Sequence, residues 1–483
     1  MNAVEIRSPA RLRDLLTHLL LLSVVSFLVL LPNLGQTRHL GAREGRHAEI
    51  IREMAESGDY LVPTLLGREY PDKPPVMHAM GAVFTKWTGA PSLTTARLPS
   101  ALAAWLAVLA IYAIGRLLIH PTAALVGAIA LLGMPGFSNM ARQARPDMIL
   151  CAAIFISGLA LLLGMREQRP GLRALAFCLA GVFAGVGTLT KGPWGFVFPV
   201  LLALLVSLAA PDWRRPQAGW ILFALGLLLV MGAWAIPVYL RDNGRYLRDV
   251  LLQPDLQVTA ADSDPLHRYV KAALIQTLPI SLFLPLAIRD WWRRGYSPLL
   301  AFSLAVVLIF CLIPKKRPHY LLPMYPSLAM GVVAVVVREA REKKWLRQAA
   351  TITIGTSVAA VPLYFCIFHR LVTPAEDPDL QEARQLLAET PPNSRVYTLA
   401  MQGDDELLAW VGHRKIQVIN LGGDEVAAIG ILQSAPAGTY LGTTSRETPL
   451  LEYSGVSSRL ILVKELRHSR YNSRLYRFGG TTN

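Results

Sequence analysis

Charged residues collect at the ends of apolar runs, where a phosphate could be held and a proton taken. Asp72 and Lys73 stand side by side before Pro74 and Pro75, in a stiff turn that presents both charges with little conformational freedom. Transfer of a group away from a phosphate needs cations for the charge growing on the leaving oxygen and can need a carboxylate for the acceptor's proton. The same segment supplies further acids at Glu44, Glu49, Asp59 and Glu69. A second run, GFSNMARQARPDMIL, carries Arg142, Arg145 and Asp147, although an aspartate at a helix start also serves as a cap. A third, LTKGPWGFVFP, places Lys191 between two apolar stretches, which is costly unless the lysine meets an anion. A fourth, IPKKRPHYLLPMYP, brings Lys315, Lys316, Arg317, His319 and Tyr320 together before Pro323 and Pro326, which would free backbone groups near a cavity. Here we expect a lipid phosphate to bind. His267 opens another apolar run and could join a first-segment carboxylate on a divalent metal, though a lone interfacial histidine is commonly a polar anchor.

The elements that must position these groups are membrane helices. The 483 residues are 53% hydrophobic and their mean hydropathy is +0.38. Eleven apolar runs long enough for a bilayer core are expected at about 15–34, 96–115, 122–137, 147–165, 173–189, 193–210, 218–240, 269–288, 297–313, 319–337 and 349–369. The first outer segment, 35–95, should hold interfacial helices: one over 44–56 with Ala48, Ile51, Met54 and Ala55 on its apolar face and Glu49, Arg52, Glu53 and Glu56 on its wet face, and a second over 75–88. An extended proline-rich stretch is expected between them. A further outer loop covers 241–268. The four cysteines lie in apolar runs and read as small buried hydrophobes.

Charge sets the expected orientation. The net charge is +15, and residues 371–483 hold 11 Lys+Arg against 13 Asp+Glu, so the surplus belongs to the membrane part. With the N-terminus in the cytoplasm, every loop on that side is short and basic, as insertion requires. This excludes the need for a nucleic-acid surface. The cations left outside, including those of 38–73, Arg142, Arg145, Lys191 and 315–317, call for a shared anionic ligand or for head-group and local acid partners. Residues 371–483 alternate helical and β-rich runs (RVYTLA, IQVIN, TYLG, RLILV), which predicts a small periplasmic α/β domain with a mainly parallel sheet.

Five ordered segments, EGRHAEIIREMAESGDYLVPTLLGREYPDKPPVMHAM, ARLPSALAA, ARPDMIL, LTKGPWGFVFP and KKRPHYLLPMYPSLAM, resemble the bacterial lipid-A aminoarabinose transferase and protein O-mannosyltransferase superfamily. The resemblance covers about residues 40–330. It implies a GT-C membrane fold with a transmembrane catalytic domain over 1–370, and an outward-facing site on the bacterial inner membrane. That site would use a polyprenyl-phosphate sugar, most often an undecaprenyl phosphate one, to modify a lipid A, glycan or protein acceptor. Together with the residues read above, it suggests roles. Glu44 and Asp72 would be the catalytic acids. Lys73, Lys191, Lys315, Arg317 and Tyr320 would hold the donor phosphate. Arg46, Arg145, Asp147 and His319 would contact substrate, and Asp72 with His267 would take any divalent metal. The family carries Asp-Glu before its first outer helix where this chain has Arg43-Glu44. A phosphate acceptor would tolerate that change better than a hydroxyl, because it needs no deprotonation. A monomer is expected. A lipid or sugar transporter, or an inactive scaffold of this fold, are the other readings; charges confined to span ends disfavour transport.

Overall fold

The structure, a computed structural model, describes residues 9–36, 42–210, 213, 217–252, 265–313, 316–368, 378–399, 409–410, 412, 416–419, 425–444, 448–453, 455–466 and 473–479. It divides into two compact units. One holds residues 1–34, 71–80 and 97–369; the other holds 35–70, 81–96 and 370–483.

The first unit is helical. In chain order it carries α1 (Pro9–Leu30), the start of α3 (Val76–Thr88), most of α4 (Leu93–Leu118), α5 (Pro121–Leu132), α6 (Pro135–Ala141), α7 (Pro146–Arg166), α8 (Pro170–Lys191), α9 (Trp194–Ala209), α10 (Gln217–Asp242), α11 (Arg245–Leu251), α12 (His267–Gln276), α13 (Leu284–Arg294), α14 (Pro298–Cys311), α15 (Met324–Glu339) and α16 (Lys344–Leu363). This is a multi-pass membrane protein. Among the described residues, six helices are long and apolar enough to cross a bilayer, or eight if each of two bent pairs is one span. The expectation of eleven spans is therefore too high by length. Each of the eleven apolar runs is helical, but 122–137 breaks into α5 and α6 at 66°, and 269–288 lies in a pair bent by 101°. The runs at 193–210, 297–313 and 319–337 form helices of only 16, 14 and 16 residues. Prolines at helix starts set these breaks, since a proline cannot continue the preceding helix.

The core sits where α7 packs on α8 and α9, α8 on α10, and α15 on α5 and α14. Met148, Phe155, Phe198, Phe302, Tyr325 and Val332 are buried there. Close approach matters as much as area: a Cβ on Gly181 of α8 would fall 2.0 Å from the Phe223 carbonyl oxygen of α10. Small residues let membrane helices meet backbone to backbone.

One cation expected on the outer side has a structural task. The Arg142 Nη1 and Nη2 groups donate to the carbonyls of Leu30 and Pro32 at 2.6 and 2.5 Å, and its guanidinium lies 4.1 Å from the Phe365 ring centroid. Arg97 Nη1 donates to the Leu34 carbonyl at 2.8 Å. Both arginines are buried and satisfy the orphan carbonyls at the end of α1. Lys316 does the same for Ile313 after α14, at 2.7 Å. Arg142 and Lys316 thus need no bound anion to account for their side.

The second unit holds α2 (Ala42–Ser57), a hairpin of β1 (Thr64–Leu65) and β2 (Arg68–Glu69), and the C-terminal domain. The expected wet face of α2 is not wet. Glu49 and Arg52 are buried, and Arg52 Nε and Nη2 grip both Glu49 oxygens at 2.9 and 2.6 Å. Burial pushes the Glu49 carboxyl up from its ordinary range against the pull of Arg52. The segment expected to be simply extended turns back on itself at Leu66-Gly67, both at positive φ, as a two-residue hairpin requires. Glu53 holds this hairpin, accepting from Thr64 Oγ1 at 2.6 Å and from the Gly67 N–H at 3.0 Å.

The C-terminal domain has α17 (Pro378–Ala388), β3 (Val396–Leu399), β4 (Gln417–Ile419), α18 (Glu425–Gln433), β5 (Tyr440–Thr444), α19 (Thr448–Tyr453), β6 (Leu460–Leu466) and β7 (Ser473–Phe478). Its sheet order is β4-β3-β5-β7-β6. The three strands β4, β3 and β5 are parallel, while β7 runs antiparallel to both β5 and β6. The sheet is therefore mixed rather than mainly parallel, because β7 adds a strand that Arg474 and Arg477 disguise in the sequence.

Replacing Arg142 with Met should remove the donor to the Leu30 and Pro32 carbonyls, at a cost of roughly 2–4 kcal/mol. Thermal unfolding of the detergent-solubilised protein should show a clear drop in Tm; an unchanged Tm would remove the capping role.

Candidate functional site

The site lies in the first unit, where two helix ends and two turns converge. Pro146 starts α7 with its φ already set, and Ser100 Oγ donates to the Arg145 carbonyl at 3.1 Å, so Arg145 and Asp147 are fixed at the helix mouth. Asp147 is not a cap. Its carboxylate instead accepts a hydrogen bond from Lys191 Nζ. Lys191 is the last residue of α8, the end at which a helix dipole favours a cation. The chain must then reverse at once into α9. Gly192 does this at φ +78°, and a Cβ on Gly195 would sit 2.1 Å from the Thr188 nitrogen, so only glycine lets the two helix ends meet here.

The turn Pro318–Leu321 closes the other side. Lys191 Nζ lies 4.6 Å from the Tyr320 ring centroid, and the Arg317 guanidinium 6.0 Å from it. Tyr320 meets His319 edge-on at 4.9 Å and Phe310 at 5.4 Å; Phe310 in turn packs against Trp194 at 5.1 Å. These rings form an aromatic wall behind the ion pair. His319 stands before α15 begins, and burial lowers its imidazole to about 3, so it is neutral at physiological pH. Arg145 acts electrostatically on Asp147, Lys191 and His319, and its Nε is buried without a hydrogen-bond partner among the described residues. Lys73 also acts on Lys191. Its Nζ donates to the Asp72 carbonyl at 2.8 Å and lies 3.5 Å from Asp72 Oδ1.

The structure thus gathers Lys73, Arg145, Asp147, Lys191, Arg317, His319 and Tyr320. Lys315, Arg38 and the side chain of Arg43 lie outside the described residues. Glu44 and Arg46 sit in the first turns of α2 in the second unit, Glu44 buried and Arg46 partly so. His267 is exposed at the start of α12. No group of three or more His, Cys, Asp and Glu side chains is arranged for a metal among the described residues. Sequence reasoning missed the partner of Lys191, which lies 44 residues away, and the aromatic wall. Trp194, inside the LTKGPWGFVFP run, was the available signal for that wall.

In chemical terms, four cations (Lys73, Arg145, Lys191, Arg317) face two carboxylates (Asp72, Asp147), with a neutral imidazole between. The arrangement carries surplus positive charge at a half-dry surface. That is an anion site.

A family model described as dolichyl-phosphate-mannose-protein mannosyltransferase matches residues 72–235. The undecaprenyl phosphate-alpha-4-amino-4-deoxy-L-arabinose arabinosyl transferase of Pseudomonas paraeruginosa is 29% identical over 333 residues, 66% of this chain and 60% of its own length. That of Edwardsiella ictaluri is 29% identical over 304 residues, 61% of this chain and 55% of its own. The match thus spans about 60% of the length of these curated relatives. Among solved structures, ArnT from Cupriavidus metallidurans bound to undecaprenyl phosphate superposes with a TM-score of 0.73 at 17% identity, covering 96% of this chain and 97% of that one. The Archaeoglobus fulgidus oligosaccharyltransferase gives 0.57 at 12%, covering 91% and 70%. The fold is ArnT-like, and the sequence is similar to the aminoarabinose transferases and, over residues 72–235, to the protein O-mannosyltransferase model.

Two measurements test the site's physics. Asp147→Asn or Lys191→Met alone should each lower stability by roughly 3–5 kcal/mol by stranding the other charge, whereas the double variant should recover most of it. Melting curves of the three proteins decide this; additive losses would mean the two residues are not coupled. The second concerns pH. The unfolded imidazole protonates near 6.5 and buried His319 near 3, so the unfolded chain binds the extra proton in between. Stability tied to neutral His319 is present above pH 6.5 and lost as pH falls toward 3. The Tm of the parent protein should therefore fall more between pH 7.5 and pH 5, roughly the span over which a free histidine titrates, than that of His319→Gln.

Proposed function

We propose that this protein transfers a sugar from a polyprenyl-phosphate carrier, of the undecaprenyl phosphate type, to an acceptor at the outer face of the bacterial inner membrane. The observation that carries the reading is the excess of cations over carboxylates around the Asp147–Lys191 pair. A polyprenyl-phosphate sugar is a phosphodiester with one negative charge. When the bond between the sugar's anomeric carbon and the phosphate oxygen breaks, the carrier leaves as a monoester approaching two. Fixed cations therefore bind the departing phosphate more strongly than the intact donor, which is the condition for catalysis rather than mere binding. Lys73, Lys191, Arg317, Tyr320 and Lys315 are the proposed phosphate-binding residues, with Arg145, Asp147, His319 and Arg46 toward the sugar or acceptor. Glu44 and Asp72 are the proposed acids. An acceptor that is itself a phosphate, as on lipid A, would need neither to remove a proton; a hydroxyl on a glycan or protein would. No step is assigned to a metal. Membrane localisation with the N-terminus inside and the C-terminal domain in the periplasm belongs to the same proposal, supported by the basic loops.

The reading is tested with purified protein, radiolabelled undecaprenyl-phosphate sugars and a panel of lipid A, glycan and peptide acceptors. At least one donor should be turned over. Lys73→Ala should cut turnover by at least about a hundredfold, the usual cost of losing one preorganised charge contact, with normal insertion and yield. Normal turnover by that variant would remove Lys73 from the site. Lipid flux in liposomes with no transfer from any donor would replace the enzyme with a transporter.

A further inference from the structure

A hydroxyl acceptor has a proton to lose, and Glu44, Asp72 and Asp147 are the acids that could take it. The acid expected just before the first outer helix is Arg43 in this chain, and Glu44 stands on α2 in the second unit. Asp72 is 38% exposed and lies beside Lys73, which donates to the Asp72 carbonyl. Water screens such a pair, so the basicity of Asp72 changes little whether the lysine stays or leaves.

Asp147 is placed differently. Its side chain is buried, and the contact from Lys191 Nζ to Oδ1 is the one hydrogen bond its carboxylate makes among the described residues. Oδ2 has none. A buried carboxylate that serves the scaffold does not leave an oxygen idle: Glu49, also buried, has both oxygens held by Arg52. The partners differ as well. Arg52 grips Glu49 with a rigid planar fork, whereas Lys191 offers a single charge on a flexible stem. A lysine is the partner that can leave.

Lys191 has a second claim on it, since it is among the residues proposed to meet the carrier's phosphate. As the bond from the sugar to the phosphate oxygen breaks, that phosphate gains negative charge and draws the ammonium more strongly. Each shift of Lys191 toward the phosphate leaves a buried carboxylate less compensated and raises its affinity for a proton. Of the other ionisable neighbours, Arg145 makes no ion pair with Asp147 among the described residues and His319 is neutral, so neither replaces the ammonium. The basicity of Asp147 thus grows with the charge on the leaving group.

We propose that Asp147 is the general base for a hydroxyl acceptor, held in reserve by Lys191 until the phosphate claims the ammonium. The proposal rests on the sugar-transfer reading. The acceptor's O–H proton passes to Asp147 Oδ2 as the acceptor oxygen bonds to the anomeric carbon. The bond from that carbon to the phosphate oxygen breaks, its electron pair leaves on the carrier as a phosphate monoester, and the carboxyl later gives its proton to water.

Azide tests this, because it attacks as an anion and brings no proton. The full chain in lipid nanodiscs is given the undecaprenyl-phosphate sugar that the parent turns over, with either a hydroxyl acceptor or sodium azide. Asp147→Asn should lose hydroxyl transfer by roughly a hundred- to ten-thousandfold, the usual share of a general base. Azide should restore donor consumption by that variant and yield the glycosyl azide at a rate close to the parent's. Asp147→Glu keeps an anion for Lys191, and with it the fold, but displaces the carboxylate. Its hydroxyl transfer should fall on the order of a hundredfold, the cost of about an ångström's misplacement, with azide transfer kept. Loss of both transfers in a folded Asp147→Glu would make Asp147 a structural residue and overturn the proposal. Undiminished hydroxyl transfer in either variant would overturn it too, as would a parent that transfers to phosphate acceptors alone. A parent that turns over no donor with either nucleophile would instead remove the sugar-transfer reading on which the proposal stands.

Discussion

A lysine at the end of one apolar helix and an aspartate at the start of another leave water only as a pair. Lys191 and Asp147 do so, with side chains 14% and 7% exposed. Either charge alone at that depth would draw in water or give up its charge, and both helix ends would shift. The pair therefore fixes the mouths of α7 and α8 to each other, and the glycine reversal at 192–195 fixes α9 beside them. Tyr320 completes the frame by lying over the ammonium, which ties the turn before α15 to the same point. Three otherwise separate parts of the chain are registered by one ion pair.

That register explains why the surrounding cations are tolerable. Lys73 and Arg145 repel Lys191, and Lys191, Arg145 and Arg317 all disfavour a charge on His319, so their crowding carries an electrostatic cost in the resting protein. An anion brought among them relieves it. His319 stays neutral; as an imidazolium it would add a fifth positive charge to the crowd. Other cations near the helix ends belong to the scaffold. Arg142 and Arg97 cap α1, Arg52 is spent on Glu49, and Lys316 caps α14. Cations at the ends of membrane helices thus include helix caps as well as candidate ligand contacts, and only geometry separates them.

Much of this was legible in the residues. Among the described residues each apolar run is helical, although fewer than eleven are long enough to cross a bilayer on their own. The runs ARPDMIL, LTKGPWGFVFP and KKRPHYLLPMYPSLAM each marked a polar insertion where a span ends, and three of the site's segments come from them. What could not be read was pairing across distance. Nothing local to Lys191 names Asp147, and nothing local to Arg142 names the Leu30 carbonyl 112 residues earlier. The bends at 66° and 101° were hidden because a broken span has the same average hydropathy as a straight one. The burial of Glu49 and Arg52 was hidden because an i,i+3 salt pair on a solvated face and one inside a packed unit have the same sequence. Strand β7 was missed because arginines alternate with its buried Leu475 and Phe478.

The central claim is that a lipid phosphate sits among cations supplied by separate segments of the chain. The most direct measurement is a structure of the protein with undecaprenyl phosphate bound in a lipid nanodisc. The account predicts the phosphate oxygens within hydrogen-bond reach of Lys73 and Lys191, with Arg145 or Arg317 closing the shell and Tyr320 alongside. Phosphate density at a different part of the molecule, with Lys191 still enclosed by Asp147 and Tyr320 alone, would contradict it.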